Sequence, residues 1–437
     1  MEKMFTKLTG TILLTSLLFV GFTAKAQTTL ASNVTLEKKS TAKADSAKTE
    51  ATTASVKETK AAPKPAEDTT WKPQRRVWGY TFGDFYYNAH ADAGNRGPET
   101  NYAGVPQYRN AFQFRRIYLG YDYDITKKFK AEFLLASEPG GNTGAATGTG
   151  IQNGDNLVDG KMAFWIKNAN IRVRDLWKGT DFVIGEMSTP GFALNEPGTN
   201  APTSLSEATW SYRSIEKTVT DFHKNNSYDV GAALQGTFDP ATKNYGYVFM
   251  VGNNSTSSLL SAANANTGFY KIFYGDLWAK FLDKKLYVDL YSDYAKTGPS
   301  STAIPDGQEH SMYKIFASYS AKPITIGAEY YIQNIASGVT NTTTTKVEDA
   351  TVHGLSVWVR GPITKTLNYF ARYDNYNPDS KFNSADVYAT AFNTNYGSFN
   401  PFYKEQFYTA GLDYNPTKNV HFEPNFWLVK DKDQRNS

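Results

Sequence analysis

From Trp71 onward the chain repeats one pattern, in which apolar and polar residues alternate at period two over short stretches separated by connections. Successive side chains of a β-strand point to opposite faces, so each such stretch predicts a strand with one apolar face. Strands are predicted near 77–91, 110–124, 129–137, 162–175, 181–189, 227–238, 245–253, 269–282, 285–296, 310–320, 323–334, 351–361, 366–376, 405–415 and 418–430. Ile324, Ile326, Ala328, Tyr330 and Ile332 share one face, against Thr325, Gly327, Glu329, Tyr331 and Gln333 on the other. Val230, Ala232 and Leu234 likewise oppose Asp229, Gly231, Ala233 and Gln235. Alternation alone also suits a soluble sandwich.

The connections separate the two architectures. Short links at Ile125–Lys128, Leu176–Thr180, Asp239–Asn244, Asp283–Lys284, Ala321–Lys322, Pro362–Lys365 and Pro416–Thr417 alternate with long ones. The long ones are 92–109, 138–161, 190–226, 254–268, 297–309, 335–350 and 377–404. Tight periplasmic turns alternating with longer extracellular loops mark a transmembrane antiparallel β-barrel. The fold class expected is therefore all-β. Fifteen predicted strands is an odd number where single-chain bacterial barrels have even ones, so the expectation is a 16-stranded barrel whose last strand is missing from this sequence.

Composition sharpens this picture. Aromatic residues make up 15% of the chain while mean hydropathy is negative, the combination expected of strands that show every other residue to lipid between aromatic girdles. Residues 1–26 read as a signal peptide. Lys3 and Lys7 precede an apolar run, Ile12 to Phe22, and Ala24-Lys25-Ala26 supplies the cleavage site. Residues 27–70 contain no aromatic residue and are rich in Ala, Thr, Lys, Ser and Glu, as expected of a low-complexity disordered periplasmic spacer. The barrel domain is 71–437. The predicted destination is the outer membrane of a diderm bacterium, among outer-membrane lipids.

Charge and cysteine content exclude other classes. The formal charge is +4, but the signal peptide holds three lysines against one glutamate and the spacer seven lysines against six acids. The remaining +1 argues against a nucleic-acid partner. Cysteine is absent, which removes disulfides and thiolate chemistry. None of the five histidines sits beside a nucleophile motif, and metal-ligand spacing is missing. No cofactor, metal or catalytic residue is expected.

Three blocks resemble the phosphate-selective porin O and P family. They are "FQFRRIYLGYDYDITKKFKAEF", "IKNANIRVRDLWKGTDFVIGEMSTPGFAL" and "YRSIEKTVTDFHKNNSYDVGAALQGTF". In the second block Gly191 separates Pro190 from Phe192, a departure from that family's exit motif. The resemblance runs through roughly residues 77–253 and fades beyond. It implies a 16-stranded channel, often a homotrimer, whose third extracellular loop folds inward to narrow the pore. The residues agree with such a loop: Leu205, Ala208, Tyr212, Ile215, Val219 and Phe222 recur at helical spacing, and Ser204 with Glu207 forms a capping box. Tyr212, Arg213, Glu216 and Lys217 are the candidate constriction residues.

Parity with polar neighbours places Arg116, Arg172, Arg174, Arg360 and Arg372 on the lumenal wall. Asp122, Glu132, Asp229, Asp289, Asp293, Glu329 and Asp374 share that wall. Of these, Arg116, Asp122, Arg172, Arg174, Glu329, Arg360 and Arg372 are the principal pore-lining candidates. Arg115 falls on the lipid side, near the extracellular rim, where its side chain can reach headgroups. A wall of mixed charge predicts at most a mild anion preference. The function expected is passive diffusion of small hydrophilic solutes and inorganic ions. The alternatives are an adhesin or structural anchor, and a barrel hydrolase.

Overall fold

The computed structural model describes residues 71–90, 107–137, 157–158, 161–162, 164–191, 219–220, 228–254, 270–298, 308–340, 347–382, 401–417 and 419–434. They form β1 (Arg75–Tyr87), β2 (Asn110–Asp124), β3 (Phe129–Ser137), β4 (Leu157–Val158), β5 (Lys161–Met162), β6 (Trp165–Trp177), β7 (Thr180–Ser188), β8 (Tyr228–Thr237) and β9 (Tyr245–Gly252). Next come β10 (Ile272–Phe281), β11 (Leu286–Gly298), β12 (Gln308–Ala321), β13 (Ile324–Thr340), β14 (Val347–Pro362), β15 (Leu367–Asn377), β16 (Tyr403–Thr417), β17 (Val420–Phe422) and β18 (Asn425–Asp433). All but β4 and β5 belong to one antiparallel sheet, in which β1, β2, β3 and β6 to β17 pair in chain order and β18 pairs with β16. The short pair β4–β5 stands alone within the long β3–β6 connection.

One face of this sheet is buried and the other exposed. On the exposed face Leu277, Leu290, Ile315 and Tyr330 stand in register across β10 to β13, each between 38% and 47% exposed. Fully burying such a side chain is worth about 1.5–3 kcal/mol, so a row of them turned outward requires an apolar surrounding. The opposite row, Trp278, Asp289, Phe316 and Glu329, is buried. A single sheet can bury one face only by curling around it. That is the architecture of a barrel, with an apolar exterior and a mixed interior.

Glycines let inward aromatic rings lie flat against the wall. A Cβ on Gly327 of β13 would stand 2.6 Å from the indole of Trp358 on β14, and one on Gly246 of β9 would stand 2.1 Å from Trp278. Trp278, Tyr287, Phe316, Trp358, Phe370 and Phe407 join in one inward cluster. Tyr287 and Trp358 each hold a ring against Phe316, at centroid distances of 6.1 and 5.5 Å.

Three sequence-based expectations change in detail. The stretch 335–350, read as a long loop, is mostly strand: β13 and β14 continue past a bulge, with Ile335 paired to Ala350 and Val339 to Glu348. Ser337 takes φ 57° there, so Ser337 and Gly338 serve a bulge. The last predicted strand is split into β17 and β18, both paired with β16, because Pro424 between them has no N–H for the ladder. The third change concerns the paired arginines. Phe82 pairs with Arg116 but Gly83 with Phe114, so Arg115 is the extra residue of a bulge. Beyond it Phe112 and Phe114 face outward, 86% and 60% exposed, and simple alternation no longer assigns Arg115 a face.

Candidate pore lining and constriction

The inward face of β1, β2, β3, β6 and β7 carries a ladder of alternating charge. Arg76 donates to Asp122 Oδ2 at 2.7 Å, Lys130 reaches Glu132 at 2.7 Å and Asp122 at 3.8 Å, and Arg172 lies 3.4 Å from Glu132 and 3.2 Å from Asp181. Arg174 donates to Asp124. Cross-strand register explains the meeting: Asp122 stands opposite both Arg76 and Glu132, and Lys130 opposite Arg172. These side chains keep partial access to water. Each isolated pair is worth well under about 1 kcal/mol, and the network holds the guanidinium groups at fixed positions.

Further round, the wall is acidic and dry. Asp229, Asp276, Asp289, Asp293 and Glu329 are all buried, with Lys314 and His310 buried among them. Tyr274 donates its hydroxyl to Asp229 at 2.8 Å, and the backbone N–H groups of Asn253 and Asn254 donate to the same carboxylate. Tyr291 donates to Asp293 at 2.5 Å, and His310 Nε2 lies 3.3 Å from the other oxygen of Asp293.

Two pieces of the long β7–β8 connection lie on this wall. At its start, the Gly191 carbonyl accepts a hydrogen bond from Lys314 Nζ. Glycine eases this approach, since a Cβ there would stand 3.1 Å from the Tyr291 ring and the ring would have to give way by a few tenths of an ångström. Near its end, helical Val219 and Thr220 are completely buried. Thr220 donates its N–H and its hydroxyl to Glu329 Oε1, at 3.4 and 3.3 Å. Lys314 and Glu329 are themselves 3.7 Å apart. One ion pair on the wall therefore holds both ends of the connection. The constriction candidates Tyr212, Arg213, Glu216 and Lys217 lie outside the described residues.

The remaining pore-lining candidates fall in distinct settings. Arg372 is buried against Asp374, donating from Nε at 2.8 Å and from its terminal nitrogen at 2.5 Å. Ser356 donates to the same carboxylate. A guanidinium held this way is a wall element rather than a free lumenal charge. Arg360 stands opposite Thr325 and Phe370, both on the inward face. Arg116 pairs through its backbone with Phe82, and its side chain lies outside the described atoms.

Sequence reading did not single out Lys314 or Lys167. Lys167 is buried, with Nζ 5.0–5.4 Å from the ring centroids of Tyr228, Tyr118 and Trp165. A lysine on the inward parity of an aromatic strand was the available signal for both.

No protein-family model matches the chain, and no curated protein matches it in sequence. Solved structures do. The outer membrane channel DcaP of Acinetobacter baumannii superposes with a TM-score of 0.52 at 11% identity, covering 83% of this chain and 92% of that one. OmpF of Salmonella typhi, solved in complex with daunomycin, superposes with a TM-score of 0.50 at 14% identity and the same coverages. The likeness is one of fold. The chain shares the all-β antiparallel barrel fold of these two outer-membrane channels.

Proposed function

We propose that this chain is an outer-membrane porin through which small hydrophilic solutes and inorganic ions diffuse passively. The observation that carries the reading is the seating of Thr189–Gly191 and Val219–Thr220 on a charged inward wall, with the opposite face of the same strands apolar. Pieces of a connection seated on the inward wall take up lumenal space, and fixed charges on the wall bias what passes. Arg76, Lys130, Arg172 and Arg174 are matched by carboxylates, and Asp229, Asp276, Asp289, Asp293 and Glu329 are buried. This inventory supports weak selectivity, and it supports the phosphate-selective resemblance at the level of the barrel rather than of phosphate preference. The same proposal includes a signal peptide cleaved after Ala26, a periplasmic spacer over 27–70 and a homotrimer among outer-membrane lipids. N-terminal sequencing and native mass would check those parts.

Planar-bilayer recording on the purified full-length protein tests the reading. Discrete conductance steps are expected, and a folded protein that leaves the bilayer silent would sink it. Neutralising Arg116, Arg172 and Arg174 together is expected to move the reversal potential toward cation selectivity. An unchanged potential would remove these arginines from the permeation path.

A barrel hydrolase is the second reading, favoured by one contact chain on the exposed face. His353 Nε2 lies 3.1 Å from Ser380 Oγ and its Nδ1 lies 2.7 Å from the Tyr330 hydroxyl. The backbone N–H groups of Ser380, Lys381 and Phe382 already donate to Thr351 and Asp379. They are therefore unavailable to stabilise an oxyanion, a contribution worth about 2.7–4 kcal/mol per donor. We therefore favour a non-enzymatic role. An esterase screen with a Ser380→Ala control separates the two.

A further inference from the structure

We propose a transition-metal site, suited to Zn²⁺, at the turn between β16 and β17 on the inward face, formed by Asp413, His421 and Glu423. One ligand atom from each lies within 4.8 Å of the other two. The spacing carries no metal motif in sequence; the antiparallel turn brings the three together. Tyr414 pairs with Phe422 across it, and both rings face outward, 46% and 58% exposed. Period-two alternation then turns the flanking Asp413, His421 and Glu423 to the opposite face. Asp413 is buried at 3% exposure.

The surroundings fit a ligand set. His421 Nδ1 stands 2.9 Å from Asp413 Oδ1. Asn368 of β15, directly opposite Asp413, donates to its other oxygen at 3.3 Å. Such an outer hydrogen bond fixes which carboxylate oxygen points inward to a metal. Asn415, on the same face of β16 as Asp413, has a buried side-chain oxygen with no hydrogen-bond partner, which offers a neutral fourth ligand. One imidazole nitrogen with carboxylate oxygens suits Zn²⁺, bound tetrahedrally at about 2.0–2.2 Å. Ligand atoms of such a site stand roughly 3.3 Å apart, so a small side-chain rotation opens the His421–Asp413 contact to that spacing. The site lies beside Pro424, where the ladder between β17 and β18 is interrupted. A bound ion would supply a cross-strand tie where the backbone lacks one. The competing account is an ordinary His421–Asp413 ion pair with Glu423 nearby.

The test uses the full-length protein folded in detergent, freed of metal and titrated calorimetrically with Zn²⁺, alongside His421→Gln and Glu423→Gln. Expected are one saturable site per chain, an affinity at least about tenfold weaker in each variant, and an unfolding temperature raised by Zn²⁺ in the parent alone. Heat-dependent gel mobility reports folding of both variants; should His421→Gln misfold, Glu423→Gln decides. Absence of saturable binding, or parental affinity in a folded variant, would overturn the proposal. Binding is read without channel activity, so the result is separate from that of the proposed function.

Discussion

Lys314 and Glu329 stand 3.7 Å apart on adjacent strands, and each grips a different end of the β7–β8 connection, Lys314 at Gly191 and Glu329 at Thr220. Both side chains are nearly inaccessible to water, 7% and 1% exposed. Taking either charge away breaks the pair that anchors the connection, while Lys314 keeps Asp276 and Asp289 as neighbouring counter-charges. Glu329→Gln keeps the shape and removes the charge. It is expected to lower the denaturation midpoint and to make single-channel current noisier as the connection loosens. A quiet current with an unchanged midpoint would show that the connection is held elsewhere.

Arg372 should behave differently from the arginines of the β1–β6 ladder. Its two hydrogen bonds to Asp374 are buried, and its guanidinium carbon lies 5.8 Å from the centroid of the Phe407 ring. Arg372→Met is expected to destabilise the fold by about 3–5 kcal/mol, because Asp374 is left charged and dry. Ion selectivity should barely move. Chemical denaturation and reversal potential, measured on one preparation, separate the two effects.

The glycine beneath Trp358 gives a packing test. A methyl group at Gly327 would stand 2.6 Å from the indole, so Gly327→Ala must push the ring off the wall. Overpacking of this kind costs about 1–3 kcal/mol. The expected readouts are a lower unfolding midpoint and altered tryptophan fluorescence. Trp358→Leu in the same background should restore most of the loss, and its failure to do so would argue for backbone strain instead.

Two carboxylates outside the spanning strands should respond to pH in opposite directions. Asp239, in the β8–β9 turn, loses a little solvation, but hydrogen bonds from the Thr242 hydroxyl and from the N–H groups of Asn244 and Tyr245 outweigh this and lower its pKa. A depressed folded pKa stabilises the protein above the unfolded value of about 3.9, and that contribution is lost as pH falls through the folded value. Asp239→Asn should therefore be less stable than the parent at neutral pH, with the gap closing in acid. Asp379, following β15, is raised by burial, with Glu348 adding and the N–H groups of Thr351 and Lys381 opposing. Its contribution is fully present below the unfolded value and is lost as pH rises through the elevated folded one. Asp379→Asn should gain on the parent over that rise. Unfolding midpoints across pH test both, and parallel curves would refute them.

Strand identity was legible because the barrel exposes the period-two code fully: Ile326 outward and Glu329 inward follow from counting residues, and the register of β13 agrees. Counting stops being a guide where the backbone inserts a residue. At Arg115 and at Ser337 a bulge resets the count, and no local composition announces it. Proline at 424 did announce its break, although the single predicted strand over 418–430 spans it.

The sequence by itself determined which residues alternate, where chain direction reverses and that both faces of each strand must find a suitable medium, because those properties depend on neighbours one or two positions apart. Only the tertiary structure decided which inward charges meet. Lys314 with Glu329 and Gly191, Arg172 with Glu132 and Asp181, and His421 with Asp413 are joined by cross-strand register and by a returning connection. Register is set by the pairing of all the strands in the sheet, and a carboxylate becomes a latch or a wall element according to what the neighbouring strand brings within 4 Å.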